Sequence, residues 1–143
     1  MSTLTRTLHR RHTSVPSRRR RRAWAVVATT SATTVAWLAV GPVAGADLRV
    51  GEDAGLRTVG LGAVLITTVA AALAGWAALI AAERWSSRPW RTWLLVVAVA
   101  FAASCAGPLA MADDRTSALG LVSLHSVAAV TLVAGLAPPA RRR

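Results

Sequence analysis

The stretch E-R-W-S-S-R-P-W-R-T-W, residues 83–93, lies between two long apolar runs and sets how the rest of the chain is arranged. It combines Arg84, Arg88 and Arg91 with Trp85, Trp90 and Trp93, and places Pro89 among them. Guanidinium groups reach lipid phosphates and indole rings settle at headgroup level, so this mixture suits the water–lipid boundary on the cytoplasmic side of a membrane. The six side chains are therefore expected to act as membrane-interface anchors. Pro89 cannot continue a preceding helix, so the stretch reads as a bend between two helices.

Outward from this bend, the informative feature is where charge is missing. Residues 23–46, 58–82, 92–112 and 116–140 contain no Asp, Glu, Lys or Arg. Each window exceeds the roughly 20 residues that a helix needs to cross about 30 Å of hydrocarbon. Hydrophobic residues make up 54% of the 143, and four such windows in so short a chain leave no polar face for a soluble domain. The expected fold is all-α, a four-helix transmembrane bundle. Its spans are placed at about 23–42, 58–82, 92–112 and 117–137, between a disordered basic tail (1–22) and a basic C-terminal tail (138–143).

The net charge of +11 is unevenly placed. Residues 1–22 hold eight arginines and no acid, and Arg141, Arg142 and Arg143 end the chain. With Arg84, Arg88 and Arg91, fourteen of the seventeen basic residues fall on one side of the predicted membrane; only Arg49, Arg57 and Arg115 fall on the other. By the positive-inside rule both termini are cytoplasmic, with anionic headgroups near the run from Arg18 to Arg22 and the lipid bilayer as the chain's environment. No aromatic is interleaved with the arginines before Trp24, so no nucleic acid is expected as a partner. All seventeen basic residues are Arg, which with the abundant Ala reads as high-GC bacterial coding bias, and the expected location is the bacterial cytoplasmic (inner) membrane as a multi-pass protein.

A competing reading concerns the first span. Arginines, an apolar run and then Ala44-Gly45-Ala46 follow the three-part layout of a secretory signal peptide. The apolar run is longer than the ~7–15 residues of a signal core, so a retained helix is the expectation. The outer loop that follows carries Asp47, Glu52 and Asp53, read as a solvated loop with Gly51 and Gly55 as turns. In the second span, Ala71-xxx-Gly75 and Ala74-xxx-Ala78 have the spacing that lets helix backbones approach closely.

At 1.5 Å per residue, Thr33, Thr34, Thr67, Thr68, Ser104 and His125 fall near one depth in mid-membrane. This intramembrane polar layer is the candidate site. His125 carries one of two readings: a proton relay or ligand on a path, or a neutral imidazole bonded to a Ser or Thr on a neighbouring helix. The expected bond is to the Ser104 hydroxyl or to the Ser104 carbonyl that Pro108 frees, across the tight turn at Asp113, Asp114 and Arg115. Cys105 is the only cysteine, so no disulfide, CxxC pair or multi-cysteine metal site can form within the chain. His9 and His12 lie in the basic tail and leave a single imidazole in the spans, so haem is not expected, nor any other cofactor or metal.

Gly41-Pro42-Val43-Ala44-Gly45-Ala46-Asp47-Leu48-Arg49 matches Gly107-Pro108-Leu109-Ala110-Met111-Ala112-Asp113-Asp114-Arg115 at six of nine positions, an offset of 66 residues that also carries Trp24 onto Trp90. Two hairpins related by an axis along the membrane normal are one reading of that repeat. Finally, Asp47-Leu48-Arg49-Val50, Val59-Gly60, Ala74-Gly75-Trp76-Ala77, Glu83-Arg84, Gly107-Pro108-Leu109 and Leu124-His125 together resemble an uncharacterised family of small four-span integral membrane proteins of high-GC bacteria. The resemblance implies a fold and a membrane but no activity. The expected function is that of a non-enzymatic accessory or assembly protein, with its polar layer as helix–helix glue and a homo-oligomer or membrane-protein partner in prospect. The alternative is a small oligomeric transporter or channel with His125 in its path.

Overall fold

The computed structural model describes residues 18–45, 48–50, 57–112 and 114–138. The expectations for the tails before Arg18 and after Pro138, and for the acids Asp47, Glu52, Asp53 and Asp113, lie outside the described residues. Helix α1 (Arg18–Leu38) runs into a five-residue π-helical turn (Ala39–Val43), followed by the two-residue strands β1 (Arg49–Val50) and β2 (Arg57–Thr58), then α2 (Leu61–Trp85), α3 (Pro89–Met111) and α4 (Arg115–Leu136). All four helices are long and apolar enough to cross a membrane. The antiparallel ladder pairs Arg49 with Thr58 and Val50 with Arg57.

The helices start and stop for identifiable reasons. Pro89 sits at the first position of α3, where its missing N–H costs no hydrogen bond and its φ is already helical. Asp114 caps α4 by accepting from the Ser117 N–H at 2.6 Å. The bend between α2 and α3 is three residues long: the Ser86 hydroxyl pairs with that of Thr92 at 2.7 Å and accepts from the Arg88 N–H at 3.1 Å. The π-helical turn coincides with Pro42, which cannot donate to the regular ladder. Pro108 is accommodated inside α3 one turn from its end. The helical start at Arg18 corrects the expected tail boundary at residue 22. Arginine is a good helix former, and Arg21 donates to the carbonyls of Ala137 (2.7 Å) and Leu136 (3.4 Å), while Arg22 pairs with Glu83.

α1 packs chiefly on α4 and α2, while α3 packs on α2 and α4. Two apolar clusters hold the bundle. At the end where α1 begins and α4 finishes, Ala25, Ala72, Leu79, Ala82, Trp93, Leu132 and Leu136 pack together. At the opposite end, Leu48, Leu121 and Leu124 pack with Ala36, Trp37, Val40 and Val59. Close approach of α1 to α4 depends on Gly135, where an added Cβ would lie 2.7 Å from the Cβ of Ala25 and 3.1 Å from its Cα. Gly75 plays the same part between α2 and α4, beneath Leu132.

Trp93 corrects one expectation. It is not an interface anchor but the largest fully buried side chain, 0% exposed, with its indole N–H donating to the Gly75 carbonyl at 2.8 Å. Trp90 is half-buried against it, ring centroids 4.9 Å apart. The three-residue spacing places both rings on the face of α3 that meets α2, and an indole at the start of a helix can turn inward as readily as toward lipid. Trp85 remains exposed at 83%, as do Arg84, Arg88 and Arg91.

Candidate functional site

The two apolar clusters do not meet. All four helices line a cleft of about 360 Å³ that opens sideways, where Thr67, Ala71, Ala100 and Ser104 are exposed. Its wall is mostly apolar, with Val64, Ala72, Val97, Phe101, Leu121 and Leu132 among the lining side chains. The polar groups on it are Thr29 and Thr33 from α1, Thr67 and Thr68 from α2, Ser104 from α3 and His125 from α4. Five of the six residues expected in the mid-membrane layer thus surround one space. Thr34 is the exception and points elsewhere on α1. Thr29 takes its place, one helical turn before Thr33 and on the same face. The i to i+4 relation was legible in the chain; depth alone pointed to Thr34.

The layer does not act as glue between helices. Thr33 donates to Thr29 O (2.9 Å), Thr34 to Thr30 O (2.8 Å), Thr67 to Ala63 O (2.7 Å), Ser104 to Phe101 O (2.9 Å) and Ser126 to Val122 O (2.8 Å). Every one of these bonds stays within its own helix. A carbonyl one turn back is always within reach and needs no second helix held in register. The expected bond between His125 and Ser104 is absent for the same reason: His125 Nδ1 lies 2.7 Å from Leu121 O on its own helix, and Ser104 is spent on Phe101. The side-chain bonds that do join separate elements sit toward the ends of the bundle, from Trp93 to Gly75, Trp37 to Val59, Arg21 to α4 and Arg22 to Glu83.

Three polar groups on the cavity wall are left without a protein partner among the described residues. The Thr29 hydroxyl is buried, in a residue 1% exposed, and unbonded. Thr68, 7% exposed, makes no hydrogen bond. The third is His125 Nε2, because only Nδ1 is engaged. A carbonyl oxygen can only accept, so Nδ1 carries a proton; in the neutral ring Nε2 is then an unprotonated acceptor. Of the three, only the Thr29 hydroxyl is fully enclosed, where an unmade bond costs about 1–3 kcal/mol; Thr68 and His125 Nε2 stay accessible from the cavity. Trp76 Nε1, also buried and unbonded, does not line the cavity.

Among the described residues no acid, arginine or cysteine lines this cavity; Cys105 is buried on α3 outside the lining. Among the described residues no group of three or more His, Cys, Asp or Glu is placed to hold a metal. The profile of a family described as "Family of unknown function (DUF6069)" matches residues 13–142. No curated protein and no solved structure matches the chain.

Proposed function

The chain belongs to this family of unknown function, and from that premise we propose that it is a non-enzymatic accessory protein of the membrane that holds a small uncharged molecule between its four helices. The observation that carries the reading is that Thr68 and His125 Nε2, both without protein partners, line one cavity of about 360 Å³. That volume lies within the range of ligand pockets, about 300–1,000 Å³, and an apolar wall with a few convergent polar groups is their usual make-up. Catalysis is disfavoured because the one imidazole is not bonded to any hydroxyl that it could activate.

Transport with His125 on a path is the second reading. It requires the cavity to open in turn to water at both ends of the bundle, and both ends are filled by the apolar clusters. Access from the lipid fits better, since α3 is the most loosely held helix, with Leu95, Val96 and Val99 exposed along its length. The bundle sits in a bacterial cytoplasmic membrane with both termini inside, where Arg84, Arg88 and Arg91 meet anionic headgroups. A second copy or another membrane protein would receive the molecule through α3.

Native mass spectrometry from mild detergent tests the binding reading. Wild-type protein is expected to carry a co-purifying small molecule that an Ala128→Trp variant, with its cavity filled, does not. Identical empty spectra for the two proteins, both folded, would overturn it.

A further inference from the structure

Resting on the reading of this cavity as a binding site, the geometry points to the class of molecule: an uncharged aromatic ring bearing a hydroxyl, a lipophilic phenol or quinol. The cavity's hydrogen-bonding groups are unbalanced. The hydroxyl protons of Thr33, Thr67 and Ser104 are committed to carbonyls of their own helices, so toward the cavity these oxygens offer only lone pairs. His125 Nδ1–H is committed to Leu121 O, so Nε2 offers only a lone pair as well. Thr68 keeps an uncommitted proton toward the cavity, while the unbonded Thr29 hydroxyl is sealed from it. A wall dominated by acceptors is completed by a guest that supplies a donor. A phenolic hydroxyl can donate to Nε2 and accept from Thr68, the two accessible groups that the fold leaves open. A quinone or ether oxygen only accepts, and leaves Nε2 unpaired.

The remaining walls select the body of the guest. Among the described residues no charged side chain lines the cavity, so an ionised head would go uncompensated in the hydrocarbon layer. Phe101, the only phenylalanine in the chain, is among the α3 residues that line the cavity and brings an aromatic ring to it. An engineered apolar cavity of about 150 Å³ holds benzene. The space of about 360 Å³ here leaves room for a bicyclic or substituted ring.

The test uses the full chain in nanodiscs, with His9→Gln and His12→Gln so that His125 is the sole imidazole, and ¹⁵N-labelled histidine. The probes are 1-naphthol and 1-methoxynaphthalene, which differ by the hydroxyl proton, compared at equal concentration in the bilayer. Saturable displacement of the His125 Nε2 resonance by naphthol, with roughly three- to tenfold weaker binding of the ether, is the expected result. His125→Phe is expected to erase that preference while leaving a site for both probes. If both probes saturate equally and Nε2 does not move, the cavity binds apolar rings without reading a hydroxyl, and the phenol inference is overturned while the binding reading stands. If neither probe saturates above the level seen with Ala128→Trp, the phenol inference is overturned, and empty native mass spectra would overturn the binding reading with it. Should His125→Phe fail to fold, the Nε2 resonance and the naphthol–ether comparison in the His125 protein decide alone.

Discussion

Replacing Trp93 by alanine separates a core tryptophan from an interfacial one. Trp93 is 0% exposed, stacks on Trp90 at 4.9 Å and donates to Gly75 O at 2.8 Å. Burial from lipid contributes little, because acyl chains are as apolar as the bundle interior, so the loss comes from packing and the hydrogen bond. A void of ~100 Å³ remaining after partial collapse, at ~24 cal/mol per Å³, costs about 2 kcal/mol. The lost interhelical hydrogen bond adds ~0.6 kcal/mol. The lost ring stack adds ~0.5–1.5 kcal/mol. Trp93→Ala should therefore destabilise by about 3–4 kcal/mol. Trp93→Phe keeps the stack and most of the volume and should cost about 1 kcal/mol. Trp85→Ala, at a site 83% exposed, should stay within ~0.5 kcal/mol of wild type. Reversible unfolding in mixed micelles, titrating SDS and following helicity, measures all three. A Trp93→Ala loss no larger than that of Trp85→Ala would refute the placement of Trp93 in the core.

Gly135→Ala drives a Cβ to 2.7 Å from the Ala25 Cβ and 3.1 Å from its Cα, so the same titration should show a loss of about 1–3 kcal/mol. Gly62→Ala, with open space around it, should show none, which isolates the α1–α4 contact from any general effect of removing glycine. Thr29→Val removes a buried, unbonded hydroxyl and should raise stability by about 1 kcal/mol; a loss of stability would show that this hydroxyl has a partner. His125→Leu breaks one bond within its own helix and should cost under ~1 kcal/mol, a result that a cross-helix role for the imidazole would exceed. With Cys105→Ser as background, Ser86→Cys should react with a membrane-impermeant maleimide only in inverted vesicles; labelling in right-side-out vesicles would reverse the predicted orientation.

The four spans were legible from the residues alone because a bilayer imposes a one-dimensional rule: about 20 residues without charge make a crossing, whatever their order. Depth was legible for the same reason, since a helix rises a fixed 1.5 Å per residue. That placed Thr33, Thr67, Thr68, Ser104 and His125 in one layer, and the structure sets them around one cavity. Direction around the helix axis was not legible. It depends on which neighbour each face meets, and Ala-rich apolar helices carry almost no polar stripe to orient them. Hence Trp93 turns into the core while Trp85 does not, and Thr29 rather than Thr34 joins the cavity wall. Bond partners were decided by the folded chain too. A hydroxyl on a helix always has a carbonyl one turn back, so sharing a depth does not pair it with a neighbour. Only packing in three dimensions shows that the Thr29 hydroxyl is enclosed without a partner, and that Thr68 and His125 line one cleft with groups left over.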